Sequence, residues 1–364
     1  MSLRDEVVRL AARGGDLGEV RVGLDRLLRR RIGYDIAAIS TADPATGLWT
    51  SCYVSGLPPE AGTDRERRLF EIEFQHGDVN SYAQLAQAKV PVGRLHAATG
   101  GDLRRAIRYG VLLSSFGVID EMRVILRNRE AMWGSLTLYR TKQAEPFSAA
   151  AAELVADAVP AMADLLRFAL LRAAVDAAGG LDEPPGILLV AQDGTITETS
   201  EAAQQWLHAL DDRDRIPSAV RSVVAAARAH GMGRAALPAR DGRWIVLHAA
   251  PLDGGSISVI VEGARPAVLS RVISDAYGFT PREREVTALA AQGRSTQQIA
   301  STLGISPFTV QDHLKSVFAK AGVQSRGELV ATIFATQYRP RWDAGTTPSP
   351  YGWYLDEEVN TAAG

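Results

Sequence analysis

The 364-residue chain has a single cysteine, Cys52, which excludes an internal disulfide, a four-cysteine zinc site and an iron–sulfur cluster held within one chain. Cys52 itself is expected as a small buried side chain and not as a redox sensor. Neither charge sign dominates: 40 Lys and Arg face 42 Asp and Glu, for a formal net charge of −2. Any affinity for nucleic acid must then come from a local surface. Long hydrophobic runs are also missing. The most apolar stretch, residues 154–175, is broken by Asp157, Asp164, Arg167 and Arg172, whereas a bilayer helix needs ~20 predominantly apolar residues. The first ten residues alternate charges with aliphatics and lack the apolar centre of a signal peptide. A cytoplasmic protein without a membrane partner is expected.

Catalytic and cofactor signatures are scarce too. The six histidines (His76, His96, His208, His230, His248, His313) form no i,i+4 pair and have no cysteine partner, which speaks against a metal site. No P-loop or GxGxxG loop occurs. The N-terminal part lacks the acidic pair, mid-strand aspartate and late lysine of a phosphoacceptor receiver. Glu283 and Glu285 are paired carboxylates, but they sit where a helix start favours negative charge. Hence neither enzymatic activity nor a cofactor is expected.

What is there divides into four segments. Composition is that of an ordinary globular protein, 46% hydrophobic and 23% charged, and the length suggests roughly two or three domains. In the first segment a helix is predicted over 17–31, with Val20, Leu24, Leu27 and Leu28 on one face. Arg29-Arg30-Arg31 reads as its solvated terminus. Strands follow over 34–40 and 48–54 around Asp43-Pro44-Ala45-Thr46-Gly47, and a second hairpin pairs 121–126 with 131–139 through 127–130. A helical connector covers 148–174. It suits dimerisation and signal transmission as well as it suits packing on its own domain. Beyond it, strands are predicted over 187–190 and 195–199 around Asp193-Gly194, a helix capped by Ser200, and strands over 244–249, opened by Asp241-Gly242, and 256–262. The last segment, from Tyr338, has no helical or strand period.

Between these lies a stretch in which local signals agree. Thr280-Pro281-Arg282-Glu283 is a capping box with proline at the first helical position, opening a helix with Val286, Leu289 and Ala290 on its apolar face. Ser295-Thr296-Gln297-Gln298 is a second box, before Ile299 and Leu303, and Gly304 suits the left-handed residue that closes that helix. Ser306-Pro307 caps a third helix over 307–320 that buries Val310, Leu314 and Val317. Ser325-Arg326-Gly327-Glu328 opens a fourth. A short helix, a three-residue turn with glycine and a longer helix make a helix-turn-helix unit. Its second helix is the one that enters a major groove, so double-stranded DNA is the expected partner. Ser306, Phe308, Thr309, Gln311, Asp312, Lys315 and Ser316 are candidate contacts, with Arg294, Gln297 and His313 beside them. Gln311 suits adenine, Lys315 guanine and Asp312 the cytosine amine. The Ser306 and Thr309 hydroxyls at the helix start suit a phosphate. A plain helical bundle accounts for the same caps and stripes.

Residues 278–336 resemble the LuxR/GerE-type helix-turn-helix domain. The likeness rests on Phe279-Thr280-Pro281-Arg282-Glu283-Arg284-Glu285-Val286, Ala291-Gln292-Gly293, Ile299-Ala300, Leu303-Gly304-Ile305-Ser306, Thr309-Val310, His313-Leu314, Phe318-Ala319-Lys320 and Ser325-Arg326-Gly327-Glu328-Leu329. It implies DNA binding at roughly palindromic sites by a homodimer, with the fourth helix and its Leu329, Val330 and Ile333 as the dimer contact. RNA polymerase is a further partner of that class. Two positions depart from the family's usual pattern. Phe308 stands where arginine is frequent, and Gln311 where lysine is common, which implies weaker phosphate attraction.

Upstream, Asp120-Glu121-Met122-Arg123, Trp133-Gly134-Ser135-Leu136-Thr137-Leu138-Tyr139-Arg140 and Pro146-Phe147-Ser148 resemble the late strands of GAF-type sensory domains. Residues 185–263 are similar to a PAS-type domain through Gly186-Ile187-Leu188-Leu189-Val190, Asp193-Gly194 and Ala202-Ala203, with Ser200 where asparagine is common. Both likenesses imply an antiparallel sheet with helices on one face and a pocket for a small-molecule effector. The expected fold is multidomain α+β: a GAF-like domain with its connector (1–175), a PAS-like domain (176–265), an all-α LuxR-type domain (266–338) and an irregular tail (339–364). The expected function is a transcription regulator whose operator binding responds to a signal. Its rivals are a constitutive DNA binder whose N-terminal domains serve assembly, and an enzyme with a DNA-binding tail.

Overall fold

A computed structural model describes residues 1–57, 63–128, 131–141, 144–175, 184–210, 216–240, 243–264, 277, 279–291, 293–321 and 323–329. The tail 339–364, the junctions 176–183 and 265–276, the turn residues 129–130 and 241–242, and Val330 and Ile333 lie outside them.

The first unit contains α1 (Leu3–Arg13), α2 (Leu17–Ile32), β1 (Ile36–Ala42), β2 (Trp49–Ser55), α3 (Thr63–Glu71), α4 (Tyr82–Gln87), β3 (Val92–Arg94), α5 (Leu95–Thr99), α6 (Ile107–Val111), β4 (Val118–Asn128), β5 (Ala131–Thr141) and α7 (Ala149–Val175). The second contains β6 (Gly186–Val190), β7 (Ile196–Thr199), α8 (Glu201–Ala209), α9 (Ser218–His230), β8 (Gly233–Pro238), β9 (Trp244–Pro251) and β10 (Ile257–Gly263). Each unit is built on a five-stranded antiparallel sheet, in the orders β2-β1-β5-β4-β3 and β7-β6-β10-β9-β8. The two orders are the same path through five strands, used twice.

Alternation along the strands sorts the first sheet's side chains between two covered faces. Ala37, Ile39, Met122, Val124, Leu136 and Leu138 meet α1, α2 and α7. Trp49 and Ile125 meet Phe70, Tyr82, Leu85 and, from the second unit, Ala225. Helices therefore lie on both faces, not on one. The connector α7 is a core element of this unit: Val155, Ala158, Val159, Met162, Ala163, Leu165, Leu166, Ala169 and Leu170 are all buried. Among its described side chains, Ala149, Ala150, Glu153, Asp157, Pro160 and Phe168 stay exposed, and the last four form a stripe too polar for a dimer seam. The arginine run does more than meet solvent: Arg30 and Arg31 both pair with Glu6 of α1, and Arg29 donates to the Tyr34 and Asp35 carbonyls at 2.9 and 3.0 Å. Cys52 is half-buried.

The second face of the first sheet holds charge. Arg108 donates to Asp78 Oδ2 at 2.8 Å and, through Nε, to Glu121 Oε2 at 2.8 Å, while Arg123 reaches Glu73 Oε2 at 2.9 Å and Glu121 Oε1 at 3.2 Å. Arg108, Glu121 and Arg123 are at most 1% exposed. Burial alone would raise the Glu121 carboxyl, but the two guanidiniums outweigh it and hold its pKa below the usual range.

The units meet at α9. This helix packs on β8, β9 and β10 and, on its other side, on β2 and α3. Asp43, fully buried in the β1–β2 turn, accepts the Ala236 backbone N–H of edge strand β8 at 3.0 Å, and Leu48 joins the second unit's core.

Candidate nucleic-acid interface

Three further helices follow: α10 (Pro281–Ala291), α11 (Thr296–Leu303) and α12 (Pro307–Ala321), and residues 326–329 begin another. Their starts are those the sequence predicts. Thr280 Oγ1 accepts the Glu283 N–H at 3.2 Å while Glu283 Oε2 accepts the Thr280 N–H at 2.7 Å, and Ser295 and Gln298 do the same for α11. Gly304 closes α11 at φ 64°, where a side chain would be strained. Arg282 caps that end by donating to the Leu303 carbonyl at 2.5 Å.

Val286, Ala290, Ile299, Ala300, Val310 and Leu314 form the core, with Leu289, Leu303, Ile305 and Phe318 packed against it. Val310 and Val317 are fully buried and Leu314 is 7% exposed. An α-helix turns about 100° per residue, so burying 310, 314 and 317 leaves 308, 311, 312 and 315 outward. Phe308, Gln311, Asp312 and Lys315 are all exposed, as are Arg294, Gln297 and Ser306. Thr309 and His313 are half-buried at the border.

Two predicted contacts are placed otherwise. Ser316 turns inward and donates to Glu283 Oε1 at 2.6 Å, because α10 packs on α12 and brings that carboxylate against it. Leu329 is 2% exposed and packs on Phe279 and Val317. It serves the unit's own core here, not an open dimer face. At the helix start, Ser306 Oγ accepts the Thr309 N–H at 3.0 Å, and the two hydroxyls bond each other at 2.8 Å. One hydroxyl hydrogen of the pair stays available for an outside acceptor.

Sequence reasoning gave Glu283 a capping role only. It also holds Ser316 and Lys320, joining the first helix of the unit to the last turns of α12. Burial would raise its carboxyl, but the bonds from Lys320, Ser316 and the Thr280 backbone bring it down to about 2. The spacing of Glu283 from positions 316 and 320 carries no local signal, since the contact spans 33 and 37 residues.

Among the described residues no group of three or more His, Cys, Asp or Glu is placed to hold a metal ion, and no helix is long and apolar enough to cross a membrane.

A compact helix-turn-helix core with a polar stripe on the outer side of its longer helix is the architecture of helix-turn-helix DNA-binding modules. Residues 278–333 match the model of the bacterial regulatory proteins of the luxR family. Spore germination protein GerE of Bacillus subtilis is 43% identical over 55 residues, 15% of this chain and 74% of GerE. The chain belongs to the LuxR family. An HTH-type transcriptional regulator of Mycobacterium bovis is 51% identical over 52 residues, covering 14% of this chain and 6% of that protein. The match thus spans a small part of the mycobacterial relatives. Among solved structures, Escherichia coli SdiA aligns over 92% of this chain and 96% of its own, at 12% identity and a TM-score of 0.35.

Proposed function

We propose that the chain is a sequence-specific transcription regulator that inserts α12 into the DNA major groove as a homodimer, in the cytoplasm. One observation carries this reading: α12 hides Val310, Leu314 and Val317 while presenting Gln311, Asp312 and Lys315 together to solvent, in a unit whose sequence is that of a DNA-binding family. Groove-facing residues near the start of such a helix reach base edges. Arg294, Gln297 and His313 flank the stripe and suit phosphate contacts, as does the Ser306–Thr309 hydroxyl pair. The dimer contact is assigned to the helix beginning at 326, through Val330 and Ile333, because α7 and Leu329 are already occupied within the chain. Contact with RNA polymerase follows from the same family role.

Sensory control is the second part of the reading. The two sheet units precede the DNA-binding unit and resemble sensory domains, which supports an input by a small effector. The constitutive alternative has its own observation: Trp49, Phe70, Phe74 and Tyr82, with the Arg108–Glu121–Arg123 network, fill the helix-covered second face of the first sheet. Selection of bound duplexes from a randomised pool by the full-length protein, with and without a fractionated metabolite extract, tests both. Enrichment of a two-half-site sequence supports the regulator. A shift in its affinity by the extract supports sensing, and no enrichment at all overturns the DNA-binding reading.

A further inference from the structure

Phe308 is 69% exposed, more than any other large hydrophobic side chain among the described residues. It is the second residue of α12, on a helix with a closed apolar core only two positions away at Val310. Among the described residues no side chain of its own unit buries it. An exposed aromatic ring adds little to folding, so its apolar area remains free to stabilise a complex that covers it.

Its position names the occupant. Phe308, Gln311, Asp312 and Lys315 stand at i, i+3, i+4 and i+7, all exposed, so the ring shares one helical stripe with the groove-facing polar residues. Among the base edges of a major groove the apolar group is the C5-methyl of thymine. We propose that Phe308 reads a thymine methyl in each half-site, one or two base pairs from the adenine that Gln311 reads. Three residues advance a helix by about 4.5 Å, comparable with one base step of about 3.4 Å. This inference rests on the DNA-binding reading above and adds what kind of base edge is recognised.

The test uses the full-length protein and the duplex it selects from a randomised pool. Each thymine is replaced singly by uracil, which removes the methyl and keeps every hydrogen-bonding group. One thymine per half-site is expected to show about a 3- to 10-fold loss of affinity for the wild-type protein, the range for one buried methyl. Phe308→Ala is expected to melt like wild type, to bind the thymine duplex more weakly, and to bind thymine and uracil duplexes alike; Phe308→Leu should keep part of the difference. If no thymine is sensitive, or Phe308→Ala retains the sensitivity, thymine reading is wrong while DNA binding stands. Should Phe308→Ala bind the selected duplex as tightly as wild type, the ring is covered by something other than DNA and the proposal falls. A pool from which nothing is enriched removes the DNA-binding reading and this inference with it.

Discussion

Ser316 on the recognition helix donates its hydroxyl to Glu283 Oε1 at 2.6 Å, so the residue that opens the first helix of the DNA-binding unit also sets the pose of its third. Lys320 binds the other oxygen of the same carboxylate. The angle at which α12 is offered to a groove therefore depends on a buried acid that touches no base.

Glu283→Gln is expected to lower the stability of this unit by roughly 1–3 kcal/mol, since a charge-assisted pair becomes a neutral one and Lys320 loses its counter-charge. The pH dependence has a definite sign. The folded pKa lies near 2, below the ordinary value of 4.5. The stabilisation is thus fully present above about pH 4.5 and fades as pH falls toward 2. Thermal melts of wild type and variant between pH 7 and pH 3 check this: the gap should narrow on acidification, and a constant gap would contradict it.

Leu314→Ala is expected to cost about 2–5 kcal/mol, the range for a buried leucine truncated in a packed core. DNA binding would then be lost by unfolding of the helices. Denaturation monitored beside DNA titration distinguishes this from a lost contact, because the binding defect should follow the folded fraction.

Lys315→Ala and Gln311→Ala should each change base preference at one position by roughly 1–3 kcal/mol. Arg294→Ala should weaken all sequences nearly equally and flatten the salt dependence. Repeating the duplex selection with each variant decides the matter, and an unchanged selected sequence for Lys315→Ala would remove it from the groove.

Arg108→Met is expected to destabilise the first unit by about 3–5 kcal/mol, because Glu121 and Asp78 would keep buried charges without their shared guanidinium. The doubly neutral variant Arg108→Met/Glu121→Leu should recover part of that loss. Urea denaturation of the full chain measures both.

Much of the C-terminal unit was legible because its signals are local. Capping boxes span three residues, Gly304 needs only its own φ, and the 310/314/317 stripe is a matter of periodicity. The same holds for α2, for the β4–β5 hairpin and for Ser200, whose Oγ accepts the Ala203 N–H at 3.2 Å. Other elements were not foreseen. Helix α9 sets Ser218, Arg221, Ser222 and Arg228 on one face, yet residues 218–227 are all buried, because both units pack on it and its sequence pattern does not announce the second partner. Strand β8 is short and pairs only with β9, a partner whose contribution the sequence does not announce. The long connector is evident as a helix from its sequence, but its burial between α1 and β4 depends on contacts distant in sequence. In the site, the outward residues followed from helical spacing, whereas the inward turn of Ser316 and the occupation of Leu329 depend on side chains supplied by other helices.

Helix α9 has the second unit's sheet on one side and β2 with α3 on the other, and Asp43 ties the two units together through the Ala236 N–H. Neither unit can shift α9 without disturbing its neighbour. If each takes its own effector, the two binding events exchange free energy by the same amount in both directions, as linkage requires. The pair would then act as one composite gate that weighs two inputs, and the occupancy of either would alter the apparent affinity of the other before any helix reached DNA.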